Sequence, residues 1–168
     1  MARYGAVDVY YPAGGGATAA LVVAGGPSFA PITEEHVTTQ ETALPYRPGA
    51  FFERELPPLR AVLGRTAGLD LLIIDGYVTL DPTGRPGLGE HVRAELGIPV
   101  IGVAKTPFRS ATHAVEVYRG SSRRPLYVTA GGLAPADAAD LVRAMAGPHR
   151  LPDALKRVDT LSRSGSSV

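Results

Sequence analysis

"LLIIDGYVTLDP", residues 71–82, runs four large apolar residues directly into Asp75 and Gly76. A strand that is apolar on both faces is a central strand, covered on both sides. Its abrupt end in Asp-Gly has two readings, a plain turn or a charged position at the rim of a sheet. In open α/β sheets, ligands bind beyond the carboxyl ends of such strands. The choice turns on whether other carboxylates reach the same rim.

Upstream, the chain reads as strands. "AVDVYY" (6–11), "ATAALVVAG" (17–25) and "HVTTQETAL" (36–44) are separated by "PAGGGA" and "GPSFAPITEE", both rich in turn formers. Three strands with short links predict an antiparallel meander. From Phe51 the period becomes helical through Phe52, Leu56, Leu59, Val62 and Leu63, with Pro57 and Pro58 marking either a start or a bend. Downstream come a short helix (89–96), an apolar strand "PVIGVAK" (99–105), a hairpin built on "HAVEVYRG" and "PLYVTAGG", and a helix over 134–147. A last helix begins near Pro152. The expected architecture is an α/β mixed sheet, antiparallel in its first three strands and then parallel, flanked by helices.

With 168 residues the chain suits one domain, expected over 1–162, with 163–168 as a frayed tail. Composition is that of an ordinary globule, 45% hydrophobic and 20% charged. The net charge of +1 means that any nucleic-acid contact must rest on local patches. Cysteine is absent, which excludes disulfides and thiol chemistry. No run of eighteen apolar residues occurs, so no membrane partner is expected and a cytoplasmic location is the default. His36, His91, His113 and His149 show no ligand spacing. His91 is expected to pack or cap, and Arg119, Arg123 and Arg124 to lie in a solvated hairpin tip.

Four carboxylates stand where carboxylates are costly. Asp8 lies mid-strand on the face of Ala6 and Tyr10. Asp75 ends the central strand. Glu55 shares the inward side of its helix with Phe52 and Leu59. Asp159 lies beside the apolar stripe of the last helix, with Lys156 and Arg157 as its nearest prospective ion-pair partners. Each has an innocent reading: a solvated strand face, a turn, a first-turn glutamate or a surface pair. Together they are one mid-strand carboxylate, one at a strand end and two on helices; if they converge, a hard cation with oxygen ligands would relieve their repulsion. Such a site can hold magnesium and clamp a phosphodiester for in-line attack.

At this point whole segments resemble a known family. "LPYRPGAFFERE" (44–55) is similar to the Pro-Tyr-Ile-Pro-Gly…Arg-Glu signature of endonuclease V, with the spacing from Tyr46 to Glu55 intact. "LLIIDGY" followed by "GLGEHVRAELGIPVIGVAK" (87–105) resembles that family's Asp-Gly and Ile-Pro-x-Ile-Gly-Val-Ala-Lys block. "HRLPDALKRVD" (149–159) matches its Arg-Leu-Pro-Glu…Asp/His element, and "AVDVYY" its opening strand. The resemblance implies an RNase H-like fold and a metal-dependent repair enzyme. It would cut one phosphodiester beyond a deaminated adenine, on the 3′ side. Carried over, Asp8, Glu55 and Asp75 would be metal ligands, and Asp159 the fourth, for Mg²⁺ with Mn²⁺ as a substitute. Lys105 would stabilise developing phosphate charge. Pro45, Tyr46, Arg47 and Pro48 would form a strand-separating wedge, with Tyr46 replacing a displaced base. Gly49, Gly76, Asp81 and Gly102 would border the lesion pocket. The partner would be DNA with deaminated bases, with RNA and a binding module without turnover as the alternatives.

Several positions depart from the family pattern. The resemblance implies a short variant without the usual N-terminal segment. The His-Gly-x-x-His that normally follows Asp-Gly reads Tyr77-Val-Thr-Leu-Asp81 here. "TAGGLAP" replaces a basic turn, and Arg47 stands where an apolar residue is usual. These changes touch the recognition surface and leave the four acidic positions intact.

Overall fold

The computed structural model describes residues 2–45, 47–48 and 51–165, with the side chain of Phe51 left aside. The elements in chain order are β1 (Tyr4–Tyr10), β2 (Ala17–Ala24), β3 (Ile32–Gln40), α1 (Phe51–Leu63), β4 (Leu71–Asp75), α2 (Leu88–Leu96), β5 (Val100–Ala104), β6 (Val115–Val117), β7 (Leu126–Gly131), α3 (Pro135–Ala144) and α4 (Asp153–Gly165). The strands form one sheet in the order β3-β2-β1-β4-β5-β7-β6. β1, β2 and β3 pair antiparallel, while β4 lies parallel to both β1 and β5. The expected mixed sheet is therefore present, and β7 adds an antiparallel strand against β5 and β6.

"LLII" is central for the reason its composition suggested. Leu72, Ile73 and Ile74 are fully buried because helices cover both faces of β4. Period-2 alternation divides the residues between two cores. Ala6, Val22, Ile73, Ile101 and Val128 face α3 and α4, packing on Ala138, Val142, Leu155 and Val158. Val7, Leu21, Leu72, Ile74 and Val100 face α1 and α2, packing on Leu56, Leu59, Val62 and Val92. Truncating Ile73 or Ile74 to alanine would cost about 2–5 kcal/mol.

The third strand and the last helix differ from the sequence expectation. β3 starts at Ile32 rather than His36, because its half-buried side carries Glu34, His36, Thr38 and Gln40. A strand with so polar an inner side gives a weak apolar signal, and its start is set by the pairing of Ile32 with Ala24. α4 continues to Gly165 instead of fraying after Ser162. Ser162 is fully buried and its hydroxyl donates to the Asp159 carbonyl, so the last turn is held by packing. Residues 166–168 lie outside the described part.

α1 continues through Pro57 and Pro58. Each proline lacks an amide hydrogen, leaving the carbonyls of Glu53 and Arg54 without the usual donor four residues on. The hydroxyl of Tyr11 donates to the Arg54 carbonyl at 3.2 Å, supplying one of the missing partners.

Candidate active site

The register places two carboxylates side by side. Val7 pairs with Ile74 on the parallel strands β1 and β4. Asp8 and Asp75 are the next residues along, on neighbouring strands about 4.8 Å apart, and alternation turns both toward the α4 face. Asp75 pairs with Val103 of β5, and Lys105 follows the end of that strand. Lys105 Nζ stands 3.9 Å from Asp75 Oδ2. Glu55 enters from the opposite face of the sheet on α1 and is only 7% exposed. All four residues line one cleft of about 380 Å³, with Gly76, Tyr77 and Thr106 at its border.

The electrostatics are those of crowded like charges. Burial pushes the Asp8 carboxyl up to about 7, and the charge of Asp75 adds to the shift. A hydrogen bond from the Val9 amide to Asp8 Oδ1, 2.9 Å, works against it. Glu55 is also raised to about 7, first by burial and then by Asp8 and Asp75, while the nearby Tyr11 hydroxyl lowers it. Asp75 is raised by burial and by Asp159 and held down by Lys105, although 42% of its side chain opens to the cleft. Desolvated carboxylates that repel one another favour a proton or a cation.

Asp159 stands apart from this trio. Its charge raises Asp8 and Asp75, so it faces the same space. Its Oδ1, however, accepts from Arg163 Nε at 3.1 Å one helical turn on. The expected partners Lys156 and Arg157 do not supply this pair; Arg157 reaches across to Glu35 at 2.6 Å. Among the described residues, no three Asp, Glu or His side chains are grouped tightly enough to hold a metal ion as they stand. The donor set is nonetheless hard oxygen throughout, and no arginine is among the described lining residues, which fits a cation such as magnesium in kind.

The pocket and wedge positions separate. Gly76 borders the cleft with φ +128° and open space where a side chain would project, a conformation glycine adopts without strain. At Gly102 the close neighbour is the chain itself: an added Cβ would meet the Gly76 carbonyl at 2.5 Å and Thr129 Oγ1 at 2.7 Å. The expectation that a ligand approaches Gly102 is corrected accordingly, since the loop after β4 fills that space. Asp81 is committed to a turn. Its Oδ1 accepts from the Thr83 amide at 2.9 Å, the Thr83 hydroxyl at 2.6 Å and the Arg85 amide at 3.1 Å. These bonds hold its pKa down, and it is absent from the described cleft lining. Pro45, Arg47 and Pro48 are exposed, and Arg47 pairs with Glu53 at 3.2 Å. Tyr46 and Gly49 fall outside the described residues.

Three residues escaped the sequence reading. Arg119, expected in solvent, is 6% exposed and donates to the carbonyls of Met145, Gly147, His149 and Arg150. Arg150 in turn donates to the carbonyls of Lys105, Arg124 and Pro125, tying the loop after β5 to the β6–β7 hairpin. Tyr11 reaches α1 beside Glu55. Only Tyr11 had a signal in the sequence, the orphaned carbonyls implied by Pro57-Pro58. His91 stacks on Phe52 with ring centroids 3.8 Å apart, the packing role expected of it.

Comparison with known proteins bears on the fold and the family. The chain is 32% identical over 163 residues to endonuclease V of Thermococcus kodakarensis, covering 97% of this chain and 79% of that protein. It superposes on the crystal structure of endonuclease V from Streptomyces avermitilis with a TM-score of 0.82 and 26% identity, over 99% of this chain and 82% of the other. The same fold recurs in Ciona intestinalis endonuclease V, solved with DNA containing an inosine followed by a ribo-adenosine. There the TM-score is 0.82 at 20% identity, over 99% and 86% of the two chains. The family profile described as Endonuclease V matches residues 1–122, the stretch that carries Asp8, Glu55, Asp75 and Lys105. The profile match and these relatives place the protein in the endonuclease V family.

Proposed function

We propose that this metal-dependent endonuclease cuts DNA at the phosphodiester on the 3′ side of a deaminated adenine, using Mg²⁺. The observation that carries the reading is the meeting of Asp8, Glu55 and Asp75 in one cleft, each raised by burial and by a neighbouring carboxylate. Asp8 and Asp75 would hold the cation from the sheet and Glu55 from α1. The bound ion would polarise the scissile phosphate and an attacking water. Lys105, beside Asp75 at the strand end, is placed to neutralise charge that develops on the phosphate. Asp159 is assigned a supporting place at the edge of the cleft, oriented by Arg163. Gly76 leaves room for a base to approach the backbone, and the stretch 45–48 would separate the strands.

The test is direct. Purified protein is incubated with Mg²⁺ or Mn²⁺ and with single- and double-stranded oligonucleotides carrying deoxyinosine, with unmodified and inosine-containing RNA counterparts alongside. Cutting of deoxyinosine DNA in preference to unmodified DNA is expected. Folded protein that cuts none of them in either metal defeats the reading, and a clear preference for the RNA substrate replaces DNA with RNA as the target.

A further inference from the structure

We infer that Tyr11 is a positioning residue, holding the Glu55 carboxylate in the cleft and setting its place relative to Asp8; the functional part rests on the reading that Glu55 holds the cation. Glu55 and Asp8 arrive from opposite faces of the sheet, one on α1 and one on β1. Their relative position therefore depends on whatever joins the helix to the strand at the cleft. Tyr11, the residue after β1 and three beyond Asp8, makes that connection.

It is gripped at two points. Its hydroxyl donates to the Arg54 carbonyl at 3.2 Å, the acceptor that Pro58 leaves without a helical donor. The Arg54 guanidinium covers the ring face, with Cζ 3.8 Å from the centroid. Arg54 immediately precedes Glu55, so fixing its peptide fixes the root of the Glu55 side chain. The Glu55 carboxylate lies near the same hydroxyl, close enough for each group to act on the other. Phenylalanine at this position would keep the packing under Arg54 and remove the hydroxyl, with its bond to the Arg54 carbonyl and its influence on Glu55.

The first arm is a double-mutant cycle on the metal-free, full-length chain, reading denaturant midpoints for Tyr11→Phe, Glu55→Leu and the pair. A Tyr11→Phe effect that falls by at least half in the Glu55→Leu background is expected, and additive effects overturn the inference whether or not the chain cuts DNA. The second arm compares Tyr11→Phe with the parent in Mn²⁺ titration by calorimetry and in steady-state cleavage. Mn²⁺ affinity and kcat should each fall about tenfold, the scale for removing a partner that orients a ligand, with KM for the oligonucleotide unchanged. Unchanged Mn²⁺ affinity and kcat overturn the functional part. Coupling in the cycle with no Mn²⁺ binding by the parent defeats the cation reading alone and leaves Tyr11 as the residue that places Glu55.

Discussion

The periphery of the molecule and its cleft treat negative charge in opposite ways. Around the periphery, acids are matched to bases. Glu34 takes hydrogen bonds from Arg3, His36 and Thr66 and is held down to about 2. Glu35 meets Arg157, Glu90 meets Arg93 and Glu95 meets Arg60, and each glutamate is lowered. In the cleft, Asp8, Glu55 and Asp75 are raised, with the Lys105 ammonium 3.9 Å from one of them and the Tyr11 hydroxyl on another. Of fifteen arginines, eight pair with partly solvated acids among the described residues, and none is in the described lining of the cleft. Structural stability alone does not favour that distribution, because burying uncompensated carboxylates is unfavourable. A site that receives a cation from outside does.

Substitutions in the cleft test this contrast most sharply. Asp75→Asn keeps the shape and removes the charge, and is expected to lower the cleavage rate on the order of 10³-fold in a gel assay. Lys105→Ala should lower kcat about 10²-fold, and less at low pH where the cleft carboxylates begin to take up protons. Retention of parental activity by either variant would erase the distinction between cleft and periphery.

The stability predictions have opposite signs in the two regions. A raised carboxyl favours the folded state at low pH, and that contribution is lost as pH rises from about 4 through the folded value of about 7. The metal-free protein should therefore weaken over this window, and Asp8→Asn should raise its stability at pH 8 by on the order of 1–3 kcal/mol in urea unfolding. Added Mn²⁺ should stabilise the parent and not the variant. Glu34 behaves inversely: its pKa is lowered, so its contribution is present above the unfolded value and lost as pH falls toward about 2. Glu34→Gln should then cost about 1 kcal/mol at neutral pH, the scale of a surface pair, and little in acid. If both substitutions destabilise equally, the cleft is an ordinary ion-pair network.

Much of this was legible along the chain, because period and punctuation are local. The four buried residues before Asp75 announced a central strand, and the inward spacing of Glu55 with Leu59 announced a carboxylate facing the core. Asp8, Glu55, Asp75 and Lys105 do line one cleft. What misled were positions whose neighbours are distant in sequence. Arg119 reads as solvated until the α3–α4 loop closes over it, and Gly102 reads as room for a base until the loop at 76–78 occupies it. Asp81 reads as a changed pocket residue, yet its partners are Thr83 and Arg85, two and four residues away, in a local turn.

By itself the sequence determined the order of elements, the buried faces and the acids set against apolar neighbours, since backbone periodicity alone assigns a side chain to a face. Tertiary structure decided which carboxylates share a space and which are taken up by a base. Strand register brings Asp8 beside Asp75, and the packing of α1 brings Glu55 to both; Arg163 draws Asp159 aside. Electrostatic energy depends on distances across the fold, and those exist only once the sheet has closed.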